Sequence, residues 1–266
     1  MSDYQLLING QLVDGDHTMA VVNPANEEKL ADCPKASEEQ LNDAVAAAKA
    51  AFPAWSETAI EERKAVVLKI ADAIEANATE LAQLLTEEQG KPLGDATGEV
   101  YGMAAFCRYF TSLDLPVKVS DDSEGRTVEA HRRPLGVVGA IVPWNFPLIL
   151  MAFKLPPALI AGNTIVIKPA PTTPLSTLRI GALIKDIVPA GVVNFITDEN
   201  DLGAALTAHP DVRKISFTGS TATGAKVMAG AAGLLKRITL ELGGNDAGIV
   251  LNDVDPKETA PKVFDS

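Results

Sequence analysis

Four places in this 266-residue chain carry side chains whose types and spacing could do chemistry. Glu241 lies in Leu240-Glu241-Leu242-Gly243-Gly244, just after the β-branched pair Ile238-Thr239. A carboxylate at the end of an extended run, with glycine backbone beside it, suits a general base; the ordinary alternative is a solvated surface charge. Asn145 lies between Trp144 and Phe146 in an apolar stretch, where an amide is costly to bury unless it is hydrogen-bonded. It is either a turn-forming asparagine or a donor aimed at developing negative charge. Gly219-Ser220-Thr221-Ala222-Thr223-Gly224 follows an apolar run and opens a helical pattern, so its free amides and positive helix end could hold a pyrophosphate. Small residues at a helix start also serve as a plain cap, and the glycine spacing departs from the usual dinucleotide fingerprint. Lys168 ends the run Thr164-Ile165-Val166-Ile167, as an exposed charge or as a ligand contact.

The rest of the composition removes several classes. The chain has only two cysteines. Cys33 lies in Asp32-Cys33-Pro34 and Cys107 among Phe106 and Tyr109-Phe110, contexts that suit small buried hydrophobes. Neither forms a ligand-spaced cluster with His17, His131 or His209, so no metal site is implied. A net charge of −12 works against nonspecific contact with nucleic acid or anionic membrane. No apolar run reaches the roughly 18 residues of a membrane span, and Met1-Ser2-Asp3-Tyr4-Gln5 lacks a basic segment leading into an apolar core. The expected location is cytoplasmic.

These residues need elements to position them. From Ser37 to about Gly90 the chain reads as helices, with capping-box patterns at Ser37-Glu38-Glu39-Gln40 and Thr58-Ala59-Ile60-Glu61 and an apolar face through Val66, Ile70, Ala73 and Ile74. A further helix is expected from about Asp95 to Leu113. Residues 117–134 read as a β-hairpin turning at Asp121-Asp122-Ser123-Glu124-Gly125, with too few apolar residues to stand without a neighbour. Beyond Gly136, strands are expected at Val137–Val142, Thr164–Ile167, Val192–Phe195, Lys214–Phe217 and Ile238–Leu240, with helices near 147–161, 175–187, 202–208 and 221–233. Near-continuous apolar strands between helices predict an α/β fold: an open parallel sheet of Rossmann-like type covered by helices, with a protruding β-hairpin. Ligands of such sheets sit at the carboxyl ends of the strands, where all four places above fall.

Taken together, Leu240-Glu241-Leu242-Gly243-Gly244, Pro143-Trp144-Asn145-Phe146-Pro147 and Phe217-Thr218-Gly219-Ser220 resemble the motifs of the aldehyde dehydrogenase superfamily, in its hydrolytic branch, and the resemblance runs from near the start of the chain to its last residue. It implies oxidation of an aldehyde to a carboxylate with NAD or NADP. Glu241 would be the general base that activates the thiol or the hydrolytic water, and relatives that pass the acyl group to coenzyme A commonly lack an acid there. The Asn145 amide would belong to the oxyanion hole. Lys168 would bond the adenosine ribose, and the cofactor-binding set would comprise Val142, Pro143, Trp144, Lys168, Pro171, Gly203, Phe217, Thr218, Gly219, Ser220 and Leu242. The resemblance places the nucleophilic cysteine beyond Ser266. The expected reading is therefore an amino-terminal part, inactive alone, of a homo-oligomeric enzyme; the alternative is a catalytically inactive stand-alone dinucleotide-binding fragment. Residues 1–116 and 135–241 would form the dinucleotide-binding domain, 117–134 an oligomerisation hairpin, and 242–266 the truncated start of the catalytic domain.

Three departures from the family pattern matter. Many NAD-preferring relatives carry a ribose-binding glutamate where this chain has Pro171, which predicts that NADP is accepted as well as NAD. Relatives place a glycine soon after the threonine matching Thr197, whereas Thr197-Asp198-Glu199-Asn200-Asp201 puts three acids near the dinucleotide, unfavourable unless they turn away. Branches that oxidise carboxylate-bearing semialdehydes often have arginine before the lysine matching Lys154; here it is Phe153, which favours an uncharged apolar or aromatic aldehyde. The segment after Asn145 would expose Phe146, Leu150 and Phe153 to the aldehyde entrance, unless these are core residues.

Overall fold

In the computed structural model, which describes residues 4–123 and 125–264, the chain opens with four strands that carry no signal in the reading above. β1 (Leu6–Ile8) and β2 (Gln11–Val13) pair across Asn9-Gly10, whose φ angles are 53° and 74°. Asn-Gly is the pair that a two-residue hairpin with left-handed central residues selects. β3 (His17–Val22) and β4 (Lys29–Lys35) form a separate antiparallel pair.

Four helices follow: α1 (Glu38–Glu57), α2 (Ile60–Ala76), α3 (Ala78–Gln89) and α4 (Leu93–Thr111). The capping box at Ser37 forms as expected, with both the Ser37 hydroxyl and the Gln40 side chain engaged. The one expected at Thr58 does not. Its hydroxyl donates to the Ala54 carbonyl of the preceding helix, and Ala59 takes the N-cap position of α2 without a side-chain bond. Because only one residue separates the end of α1 from that N-cap, the α1 carboxyl end competes for the same hydroxyl. The apolar face of α2 is centred on Val67, Ile70, Ala71 and Ile74.

β5 (Lys118–Ser123) and β6 (Arg126–Ala130) form an exposed two-stranded sheet of their own. The expected five-residue turn is shorter: Asp121, Asp122 and Ser123 are strand residues paired with Val128, Thr127 and Arg126, and Gly125 has a φ of 76°. Glu124 of that turn lies outside the described residues, as do Met1, Ser2, Asp3 and positions 265–266.

The remainder alternates as expected: β7 (Val137–Ile141), α5 (Pro147–Ala152), α6 (Leu155–Ile160), β8 (Thr164–Lys168), α7 (Leu175–Ile184), β9 (Val193–Phe195), α8 (Gly203–Ala208), β10 (Val212–Gly219), α9 (Thr221–Ala232) and β11 (Arg237–Leu242). The helical segment expected near 147–161 is two helices. Pro156 and Pro157 lack the amide hydrogens that a continuous helix would use and restart it as α6. The seven-stranded sheet has the order β11-β10-β7-β8-β9-β1-β2. Its first five strands are parallel, and β1 and β2 extend it antiparallel at one edge.

The core is continuous across the sheet, with α1 packed on β7, β8, β9 and β1, and β8 buried along its whole length. From β7 the chain advances through β8 to β9, then returns to the other side of β7 for β10 and β11. Right-handed crossovers therefore put α8 and α9 on the opposite face from α5, α6 and α7. The reversal falls between β7 and β10, the place where open α/β sheets bind ligands at their carboxyl ends. After Leu242 the chain runs without regular structure to α10 (Pro256–Phe264), which buries no residue. Among the described residues no helix is long and apolar enough to cross a membrane.

Candidate functional site

Strand register brings the separate motifs to one crevice. Ile141 pairs with Phe217 and Phe217 with Leu240, so the loop Val142–Phe146, the loop after Gly219 and the end of β11 emerge side by side. Thr218 is the register partner of Glu241, and Gly219 of Leu242. Val142 is buried and hydrogen-bonds through its amide to the Lys168 carbonyl at 3.0 Å, tying the Asn145 loop to the end of β8.

The start of α9 suits a pyrophosphate. Ser220 caps it, its hydroxyl accepting from the Thr223 amide at 3.2 Å, and no acidic residue lies in the first turn. Residues 220–222 are exposed, so the remaining first-turn amides face solvent. A Cβ at Gly224 would come within 2.5 Å of a Leu242 methyl, so glycine there lets α9 lie directly on β11. Phe217 is buried beneath this turn; Thr218 and Gly219 are half-buried, and Trp144 and Leu242 lie exposed at the rim.

Lys168 is not an exposed charge. It is 4% exposed, and its Nζ donates to Asp198 Oδ1 at 2.6 Å and to the Pro169 carbonyl at 3.3 Å. Asp198 is fully buried, and its other oxygen accepts from the Leu202 amide at 2.9 Å, at the start of α8. Gly203 opens that helix, and a Cβ there would stand 3.7 Å from the Lys168 chain. The three acids after Thr197 therefore divide. Asp198 turns inward onto Lys168, whereas Glu199 and Asp201 turn outward and share Lys35, each at 2.9 Å. Pro171 is half-buried on the same side, lining a small surface cavity with Met19–Val22 and Glu199.

Asn145 departs from the burial expected of it: it is exposed, between an exposed Trp144 and an exposed Phe146. The loop projects past the end of β7 instead of folding into the core, so its aromatic neighbours do not cover it. What holds it is backbone: the Asn145 carbonyl accepts from Lys91 Nζ at 2.9 Å and, more weakly, from Gln89 at 3.4 Å. Lys91 also stands 4.1 Å over the Phe146 ring and is ion-paired with buried Glu99, whose other oxygen caps α5 through the Leu148 amide at 2.8 Å. Asn145, Phe146, Gln89, Lys91, Asp95 and Glu99 line a cavity of about 580 Å³. The sequence reading missed Lys91 and Glu99, because a Lys-to-Glu spacing of eight on a helix start has no local meaning until the Asn145 loop is docked on it.

Phe153 does not join that cavity. It packs edge-on against Phe106 at 4.6 Å and lines a second one with Lys154, Lys214 and Thr239, while Leu150 is partly buried against the core. Of the three residues expected at an aldehyde entrance, only Phe146 shares the Asn145 cavity, because the break between α5 and α6 turns Phe153 away.

Lys154, like Lys91 and Glu99, has no role in the sequence reading. It is 4% exposed and donates to the Thr218 hydroxyl at 2.6 Å. Burial pushes its pKa down to about 8, against the pull of the Glu241 carboxylate and with help from Lys214. A lysine in the apolar run Leu150–Ile160 was the available signal. Glu241 itself is exposed at the end of β11. Both cysteines are buried and free, and burial drives both thiols up to about 12. Among the described residues, no three His, Cys, Asp or Glu side chains gather as a metal site.

Known proteins share this fold. The profile of the aldehyde dehydrogenase family matches residues 12–266. A Pseudomonas sp. protein named "Probable aldehyde dehydrogenase" is 45% identical over 264 residues, covering 99% of this chain and 54% of its own length. The crystal structure of PnpE in complex with nicotinamide adenine dinucleotide superposes with a TM-score of 0.93 at 44% identity, over 97% of this chain and 54% of that one; PnpE comes from Pseudomonas sp. WBC-3. An "NADP dependent enzyme" of E. coli superposes with a TM-score of 0.88 at 38% identity, over 92% of this chain and 52% of that one. The chain thus spans about half the length of the relatives it matches.

Proposed function

The chain belongs to the aldehyde dehydrogenase family, and on that premise we propose that it is the amino-terminal, cofactor-binding part of an enzyme that oxidises an aldehyde to a carboxylate with NAD or NADP. The observation that carries this reading is the convergence, at the sheet's switch point, of the Asn145 loop, the exposed start of α9 and Glu241 at the end of the neighbouring strand. Relatives with the same fold support both cofactors, one solved with NAD and one an NADP dependent enzyme of E. coli.

In this reading the amides at the start of α9 hold the pyrophosphate, Lys168 meets the adenosine ribose, and Val142–Trp144 with Leu242 flank the nicotinamide half. When bound, the nicotinamide supplies the acceptor for the hydrogen and electron pair that the aldehyde carbon loses. Asn145 donates its side-chain amide to the oxygen that gains negative charge as a thiol adds to the carbonyl. Glu241 takes a proton from that thiol, gives it up to solvent, and then takes one from the water that releases the acid. An acid at this position favours water over coenzyme A as acyl acceptor. Phe153, in place of the arginine that semialdehyde-oxidising branches often carry, favours an uncharged apolar or aromatic aldehyde.

One observation supports the narrower reading for these 266 residues alone, a dinucleotide-binding fragment without turnover. Cys33 and Cys107 are both buried, with thiols pushed up to about 12, and neither is presented to Asn145. We therefore assign the nucleophile to a cysteine outside this chain. The domain division follows: 1–116 and 135–241 bind the dinucleotide, the 117–134 hairpin serves assembly of a homo-oligomer, and 242–266 begins the catalytic domain. We assign the protein to the cytoplasm.

The test is product analysis with the full-length protein, NAD or NADP, and aromatic and aliphatic aldehydes. Aldehyde-dependent reduction of the dinucleotide with free carboxylate as product is expected. A product formed only when coenzyme A is added would overturn the hydrolytic assignment.

A further inference from the structure

Pro171, judged by itself, removes the carboxylate that would turn away a ribose 2′-phosphate. The fold supplies one from the neighbouring strand. Asp198 leaves the end of β9 fully buried and meets Lys168 at the end of β8 at 2.6 Å, and no other acid of its loop takes part, since Glu199 and Asp201 bind Lys35. Asp198 is held in place twice, by Lys168 and by the Leu202 amide. A buried carboxylate so fixed cannot swing out to touch a ligand. It acts on the lysine.

Discrimination between the two dinucleotides is electrostatic at this subsite: an acid by the ribose favours the free 2′-hydroxyl, and an unpaired cation accommodates the 2′-phosphate. A free Lys168 would be such a cation. Paired with Asp198 it has no net charge to offer a phosphate, while the one ammonium hydrogen not used by Asp198 and the Pro169 carbonyl can still donate to a ribose hydroxyl. Resting on the reading above that this crevice binds a nicotinamide dinucleotide, the geometry points to Asp198 as the specificity-determining positioning residue of the adenosine-ribose subsite, selecting NAD over NADP through Lys168.

The experiment is calorimetric titration of the full-length protein with NAD⁺ and with NADP⁺, comparing wild type, Asp198→Asn and Lys168→Gln. Asparagine keeps the shape and can keep the bond to the Leu202 amide, so the change is mainly one of charge. Wild type should bind NAD⁺ at least about tenfold more tightly than NADP⁺, and Asp198→Asn should narrow that ratio by about tenfold, chiefly by tightening NADP⁺. Lys168→Gln, which leaves the carboxylate unopposed, should weaken both and widen the ratio. A merely structural role would weaken both dinucleotides alike and leave the ratio fixed in both variants, and that result overturns the inference. Should Asp198→Asn fail to fold, the Lys168→Gln ratio decides: widened supports the inference, unchanged overturns it. Failure of wild type to bind either dinucleotide would sink the cofactor reading itself, a different outcome from tight NAD⁺ binding with an unmoved ratio.

Discussion

The two flanks of one crevice are built by opposite rules. On the β8–β9 side the polar groups are buried and bonded: Lys168 to Asp198, Asp198 to the Leu202 amide, and Thr197 to the Pro34 carbonyl. On the β7–β10–β11 side Trp144, Asn145, Ser220, Glu241 and Leu242 are exposed, and among the described residues no hydrogen bond engages the Asn145 amide or the Glu241 carboxylate. The first flank is finished, with its charges fixed before any ligand arrives, which lowers the cost of ordering on binding. The second presents groups that both the dinucleotide and the reacting molecule must reach. The lesson is that ribose binding and chemistry here draw on different kinds of residue, one held by burial and the other kept available beside the pyrophosphate turn, so those two roles should be separable by mutation.

The largest expected effect comes from the exposed flank. In the full-length enzyme Glu241→Gln should lower kcat by about 10²–10⁴, with dinucleotide affinity changed no more than a few-fold, because a general base acts on the reaction and not on binding. Steady-state turnover equal to wild type would remove Glu241 from the mechanism. The next effect comes from the finished flank. Lys168→Ala leaves Asp198 charged, buried and unopposed, and should cost about 3–5 kcal/mol of stability by denaturant titration. A loss below about 1 kcal/mol would show that water reaches the pair and that the flank is less closed than it stands.

A smaller, pH-dependent effect tests the burial rule deeper in the same flank. Glu88 on α3 is buried and accepts from the Leu175 and Ser176 amides at the start of α7, at 2.7 and 3.1 Å. Burial raises its pKa from 4.5 to about 7 despite those bonds. The folded state then holds the proton over a range where the unfolded chain has lost it, so stability falls as pH rises from about 4.5 to 7. Melting curves of wild type and Glu88→Gln across that range should diverge, wild type losing ground as pH rises; parallel curves would contradict the burial effect. The smallest effect is expected at the thiols. Cys107→Ser and Cys33→Ala should leave turnover unchanged, since neither thiol ionises near neutrality. Loss of activity in Cys107→Ser, with the fold intact, would mean an existing cysteine serves as nucleophile.

The contrast also explains what the sequence made legible. The five parallel strands could be read because each is a continuous apolar run between helical patterns, and the motif residues could be placed at strand ends because glycines and caps mark those ends. β1 to β4 were invisible: three-residue strands and a partly exposed pair carry little periodicity, and their pairing with β9 or each other is long-range or weakly patterned. Asn145 was misjudged because apolar neighbours suggest burial only if the chain there runs through the core, and this loop runs past it. Lys91, Glu99 and Lys154 escaped because their partners lie 49 to 64 residues away, in the Leu148 amide, the Asn145 carbonyl and Thr218. Asp198 looked like an electrostatic liability, since a run of acids does not show which member turns inward.

One crossed measurement bears most directly on the separation of the two flanks: dinucleotide Kd and aldehyde kcat determined for wild type, Lys168→Gln and Glu241→Gln on matched full-length preparations. Lys168→Gln should raise Kd for the cofactor by about tenfold or more, with kcat at saturating cofactor within a few-fold of wild type, and Glu241→Gln should do the reverse. If both substitutions lower kcat at saturation while leaving Kd alone, or both raise Kd without touching kcat, the crevice is a single functional unit and its division into a buried ribose-binding flank and an exposed flank that carries the chemistry is wrong.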